Sequence, residues 1–149
     1  MTTPDYAHMG AALDSARNAL LAGEAPIGAC IAWGDREIVA HNRVISDRDP
    51  TAHAELVAIR EATRQWRGWD PGASRLYVTV EPCPMCVAAC HYAGVREIVY
   101  AASLADFHAI TGTELLSTLS TSALLTGGCR RDDSLELLRA WAGRRARQA

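Results

Sequence analysis

Two short segments constrain what this chain can fold into more than anything in its composition. His53-Ala54-Glu55 opens one amphipathic stretch, and Pro82-Cys83-Pro84-Met85-Cys86 stands between a run of strand-forming residues and a further helix. Cys83 and Cys86 are three residues apart, so a helix puts them on one face, where both sulfurs can meet one ion. Pro84 suits the first turn of that helix, and the positive end of a helix favours thiolate over thiol. His53 and Glu55 lie about 200° apart around a regular helix and cannot line one side of it. First-turn side chains lean toward the N-terminus, however, so the two can converge on a point beyond the helix end. If the two helix starts face each other, His53, Cys83 and Cys86 hold a zinc ion. The fourth position then stays open for water, as in catalytic rather than structural zinc sites. Glu55 beside such a site would carry protons between water and a substrate nitrogen.

The rest of the chain supplies a frame for these segments. At 149 residues, 49% hydrophobic, the chain is expected to form one domain spanning 1–149 with a sizeable core. Tyr6, Met9, Leu13, Ala16 and Leu20 recur at helical spacing and predict a first helix over 5–21, ending at Gly23. Strands are expected over 26–33 and 37–40 around the Gly34-Asp35 turn. A polar loop over 42–50 follows, then a helix opened by Pro50-Thr51 whose apolar face is Leu56, Ile59, Thr63 and Trp66. Further strands are predicted over 76–80, 95–101 and 122–126. Helices are predicted from Pro84 to Ala93, over 113–119 and over 134–147, with 103–112 read as a loop. This order implies an α/β fold: a three-layer α-β-α sandwich around a mixed five-stranded sheet.

Composition removes several classes of chemistry. All 15 basic residues are Arg, which excludes a pyridoxal Schiff base, a Walker-type phosphate loop and a kinase-type lysine. A net charge of −2 argues against a general nucleic-acid binder, and no apolar run reaches the length of a membrane span. Five cysteines, Cys30, Cys83, Cys86, Cys90 and Cys129, in a chain without a recognisable leader predict reduced thiols and a cytoplasmic location.

Plainer roles exist for the same residues. Cys90 or His91 would close a structural zinc site, and the Cys pair alone would suit a thioredoxin-like redox couple. Glu55 does not fit a capping box, because Thr51 is four residues earlier where three are required. Asn42 suits a turn after a strand. Cys30 reads as a small buried apolar residue, and His8 and His41 as surface or helix-packing groups. His108 borders the expected pocket or stands apart from it. The arginines near the C-terminus suit a solvated face.

Taken together, Asp49-Pro50-Thr51-Ala52-His53-Ala54-Glu55, Glu81-Pro82-Cys83-Pro84-Met85-Cys86 and Tyr100-Ala101-Ala102 resemble the cytidine deaminase-like superfamily, in its branch of guanine, cytosine and tRNA adenosine deaminases. The resemblance implies hydrolytic deamination of a small free aminated heterocycle in nucleobase metabolism, guanine or a guanine-like purine or triazine first. Cytosine and tRNA adenosine are the alternatives, and a non-catalytic zinc module is a remote one. It implies zinc on His53, Cys83 and Cys86, proton transfer by Glu55, and a base held by Asn42, Ala54 and Glu114, with Tyr92 or Phe107 against its ring. It also implies a homodimer. Asp106 and Glu114 look like the guanine enzymes. The stretch Glu24-Ala25-Pro26-Ile27-Gly28-Ala29 is closer to the cytosine and tRNA enzymes, and Ile27 stands where the guanine pattern has Phe. The loop after Ser103 lacks the Lys-containing run of the tRNA enzymes, and the tail lacks the aromatic lid of the guanine enzymes.

Overall fold

In the computed structural model, which describes residues 1–113 and 124–148, the first helix, α1 (Thr3–Leu21), packs its small residues onto the hairpin after it. That hairpin is β1 (Gly28–Trp33) and β2 (Arg36–His41), antiparallel, with Gly28 paired to His41 and Trp33 to Arg36. Next come α2 (Ala54–Gln65), β3 (Arg75–Val80), α3 (Pro84–Ala93), β4 (Glu97–Ala102), α4 (Leu104–Thr111), β5 (Leu124–Thr126) and α5 (Arg131–Gln148). The sheet runs β2-β1-β3-β4-β5, antiparallel at β1 and parallel from β3 to β5. It is a mixed five-stranded sheet with helices on both sides, as the alternating pattern implies.

Strand alternation divides the core. Ile31, Leu76, Val78 and Ile98 face α2 and α3, whereas Cys30, Tyr77 and Val99 face α1 and α5. A third cluster, Val80, Ala102, Leu104, Phe107, Leu135 and Leu138, closes the end of the sheet where β3 and β4 finish. Among the described residues no helix is long and apolar enough to cross a membrane.

Several elements depart from their predicted form for identifiable reasons. The second helix begins at Ala54 instead of Pro50-Thr51, because the Asp49 carboxylate accepts from the Thr51 backbone N–H (2.8 Å) and hydroxyl (2.7 Å), holding that segment in a turn. Its buried face is Ala54, Ala58 and Ala62; Leu56 and Ile59 flank it half-buried, and Thr63 is exposed. Small residues four apart let the helix lie close on the sheet, and a count of large apolar side chains misses them. In α1, Tyr6 is exposed and Asp5 turns inward. Residues 104–111 form a helix, not a loop. Ser103 and Asp106 cap it reciprocally, and Gly112 ends it in the left-handed conformation. The helix expected over 113–119 lies outside the described residues except for Thr113, which is not helical.

Two contacts anchor α1. Its Asp5 carboxylate accepts from Tyr77 Oη (2.8 Å) and Arg75 (2.9 Å) on β3, and from the Thr2 backbone (2.6 Å). Burial alone would raise this carboxyl, but those hydrogen bonds outweigh it and hold Asp5 well below the usual range. At Gly28 the helix touches the strand, for a Cβ there would lie 2.0 Å from the Ala12 carbonyl oxygen. Gly28→Ala is expected to cost about 1–3 kcal/mol or more by overpacking, measured by urea unfolding. Because Asp5 ionises more readily folded than unfolded, its contribution is complete above the unfolded carboxyl pKa and is lost as pH falls below about 4. Asp5→Asn should flatten the acid limb of a stability–pH curve while lowering stability at neutral pH.

Candidate active site

Because β2, β3 and β4 all run in one direction, their C-terminal ends share one edge of the sheet, the place where open α/β sheets bind ligands. Asn42, Glu81 and Ser103 come directly after those ends. The N-termini of α2 and α3 arrive at the same edge, with His53 and Cys83 as their respective N-caps. Neither cap side chain accepts a helix N–H, as a Ser or Asp would there, so both are free for other work.

They meet. His53 Nδ1 lies 3.6 Å from Cys83 Sγ and 3.5 Å from Cys86 Sγ, and the two sulfurs are 3.7 Å apart. An ion 2.0–2.3 Å from each ligand requires separations of about 3.3–3.8 Å, so these three atoms fit a tetrahedral zinc ion without rearrangement. One imidazole and two thiols are also the donor set that favours zinc. Cys90 is buried one turn deeper in the core, His91 is exposed, and neither joins this group.

Glu55, 4% exposed, sits in the first turn of α2 beside the sulfurs. Burial pushes its carboxyl up to about 7, against the pull of its own backbone N–H, and the charge of Cys83 adds to the rise. Cys83 is held as a thiolate at about 4, stabilised first by the Cys86 side chain and then by His53. Cys86 is driven the other way by Cys83 and by burial. A divalent cation would let both sulfurs ionise.

The remaining expected site residues fall in different places. Asn42 is 5% exposed at the end of β2. Its N–H donates to the Ile27 carbonyl (3.0 Å) and its Oδ1 accepts from Val44 N–H (3.2 Å), so its NH2 group remains for a ligand. Ala54 is the first residue of α2, where a backbone N–H lacks a helical partner. Tyr92 is 88% exposed at the far end of α3 from Cys83, beside His91, and does not reach the site within one chain. Phe107 is packed inside the third core cluster near Trp141, not standing open for stacking. Glu114 lies outside the described residues. Asp106 is committed elsewhere, capping α4 and pairing with Arg131, which holds its carboxyl far below the usual range. His108 is exposed on α4.

Residues 2–102 match the family model of the cytidine and deoxycytidylate deaminase zinc-binding region, an interval that holds Asn42, His53, Glu55, Cys83 and Cys86. The chain belongs to this deaminase family. Among the described residues, His53, Cys83 and Cys86 form a group able to hold the zinc that this family's region binds. Over 141 residues it is 43% identical to a tRNA(Ile)-lysidine synthase of Thermus thermophilus, covering 95% of this chain but 25% of that protein's length. It superposes on the guanine deaminase of Nitrosomonas europaea with a TM-score of 0.81 at 29% identity, covering 96% of this chain and 86% of the other. A structure from a study of tRNA:A34 deaminases matches with a TM-score of 0.69 at 33% identity, over 88% of this chain and 98% of that one.

One residue that braces the candidate site carries no metal-ligand signal in the sequence, although it opens the stretch Glu24-Ala25-Pro26. Glu24, 1% exposed, accepts from Ser46 N–H (2.6 Å), Ser46 Oγ (2.6 Å) and Ile45 N–H (3.1 Å). Burial opposes its ionisation, yet these donors outweigh it and hold the carboxyl low. The loop it clamps begins at Asn42 and ends at His53, so Glu24 helps to fix the distance between those two side chains. Glu24→Ala strands three donors and is expected to cost about 2–4 kcal/mol in stability. Glu24→Gln, which keeps the size, is expected to raise KM more than it lowers kcat, measured by steady-state ammonia release.

Proposed function

We propose that this zinc deaminase acts on a small free aminated heterocycle, a guanine-like purine or triazine, and releases ammonia. The zinc–glutamate cluster supports the reaction; similarity to a guanine deaminase over 96% of the chain supports the base. His53, Cys83 and Cys86 would hold the ion, whose Lewis acidity when bound makes water nucleophilic near neutral pH. Glu55, buried and pushed up to about 7, is suited both to take a proton from water and to return it. Water adds to the ring carbon bearing the amino group. Glu55 carries one proton from that water to a ring nitrogen, where it stays, and a second from the resulting hydroxyl to the amino group; the C–N bond then breaks, ammonia leaves and a carbonyl remains. Asn42 offers its NH2 group to a carbonyl or ring nitrogen of the base, and the Ala54 N–H a second donor.

A homodimer belongs to this reading. Tyr92 stands out from α3 at 88% exposure and Leu56 and Ile59 flank α2 half-buried, so a partner would cover them and deepen the pocket.

A second reading, deamination of adenosine in tRNA, draws support from the 33% identity to the tRNA:A34 deaminase structure over 98% of its length. Its discriminating property is salt-dependent retention of tRNA.

Ammonia release measured over guanine, 8-azaguanine, ammeline, isocytosine, cytosine and adenine is expected to be fastest with a guanine-like ring. Glu55→Ala should lower the rate at least about 10²–10⁴-fold with zinc retained. Asn42→Ala should lower kcat/KM about 10- to 100-fold, the loss of one or two hydrogen bonds to the base. Silence on every free base, together with inosine formed in tRNA, would replace the first reading by the second.

A further inference from the structure

A second group of metal-ligating side chains lies on the opposite face of the sheet from α2 and α3. His8 projects from α1, Cys30 from the middle of β1 and Glu37 from β2; Glu37 is paired with Ala32 and so shares a face with Cys30. Their donor atoms all fall within 4.8 Å of one another, the same envelope that encloses His53, Cys83 and Cys86. His8 Nδ1 is 3.0 Å from Glu37 Oε2, Cys30 Sγ is 3.8 Å from that oxygen, and Cys30 Sγ is 4.0 Å from His8 Nδ1. Three ligands around one zinc-sized ion stand about 3.3–3.8 Å apart, so each separation is within a few tenths of an ångström of what an ion needs.

We propose that His8, Cys30 and Glu37 form a second metal site, for a thiophilic divalent cation such as Zn2+, distinct from the catalytic cluster. Charge supports it: a thiolate and a carboxylate balance a divalent ion, and neutral imidazole completes the set. Sulfur selects against Mg2+ and Ca2+. The ring of His8 is oriented by Tyr77, whose centroid lies 5.1 Å away, and Cys30 is fully buried while Glu37 is half-exposed. The ion therefore has one wall of protein and one open side, through which it enters and where water completes its coordination. Bound there, it ties α1 to both strands of the hairpin, well away from Glu55. His8 and Glu37 already form a hydrogen-bonded pair at 3.0 Å, and the Cys30 thiol lies 3.8 Å from the same carboxylate oxygen.

The experiment is a metal count on the full chain. The protein is saturated with Zn2+, dialysed against chelator-free buffer and assayed by mass spectrometry of the metal against protein concentration. Wild type is expected to retain two zinc ions per chain, and His8→Ala and Glu37→Gln one each, with ammonia release unchanged. Both substitutions fall at partly exposed positions, so loss of the fold does not obscure the count, and circular dichroism checks it. Wild type binding one ion, or either variant still binding two, overturns the proposal. The difference of one ion between wild type and variant is read independently of which base is deaminated, so this test and that of the substrate fail separately.

Discussion

The meeting of two helix N-termini at one edge of the sheet is the constraint on which the site depends. An N-cap is ordinarily a Ser, Thr, Asp or Asn whose side chain satisfies a helix N–H, a contribution of about 1 kcal/mol. Here α2 and α3 are capped by His53 and Cys83, which make no such bond. The positive ends of both helices then face the cluster and stabilise the negative charge of a thiolate within it. What each helix forgoes in local capping is offset at the site, because a cation bound by both caps links the helices and is itself a source of folding free energy.

Holding that edge in register falls to groups with no catalytic chemistry. Gly28 lets α1 lie directly on β1, and the buried carboxylate of Glu24, just after α1, draws in the loop at Ile45 and Ser46. Asn42 is fixed to Ile27 at one end of that loop, and the Asp49–Thr51 turn sets His53 at the other. On the far side Glu81, just before Cys83, accepts from the Leu104 N–H (2.9 Å) and so joins the end of β3 to the start of α4. Apart from the close packing at Gly28, each link is a hydrogen bond to a buried or half-buried carboxylate or carbonyl, a kind of contact costly to leave half-made.

The candidate site was legible in the sequence because its signal is chemical and local: His53, Glu55, Cys83 and Cys86 are chemistry-bearing residue types at restrictive spacings, and the fold brings them together. The sandwich was legible from the order of periodic segments. Less legible was anything decided by tertiary packing. The buried face of α2 is alanine, so periodicity of large apolar residues pointed to Leu56 and Ile59 instead. The Ser103–Asp106 capping box did announce α4, but with Asp in place of the Glu or Gln that the usual pattern contains. Tyr92 and Phe107 were expected near a base because they are the aromatics close by in sequence, and only the fold shows one facing solvent and the other sealed in the core. Glu24 stands in a stretch read for its family likeness, but its clamp on the Ile45 N–H and on the N–H and hydroxyl of Ser46 exists only in the fold.

The parts of the chain before and after residue 102 contribute differently to the candidate site. The family match ends at residue 102, the last residue of β4, and His53, Glu55, Cys83 and Cys86 all lie before it. Beyond residue 102, α4 and α5 close the end of the sheet at the same edge, through Leu104, Phe107, Leu135 and Leu138. Asp106 on α4 is locked to Arg131 on α5, and the ring centroids of Phe107 and Trp141 lie 6.3 Å apart, so the two helices form one unit. The packing of α4 against α5 is therefore set apart in sequence from the histidine, glutamate and cysteines of the candidate site, and the two parts can vary separately.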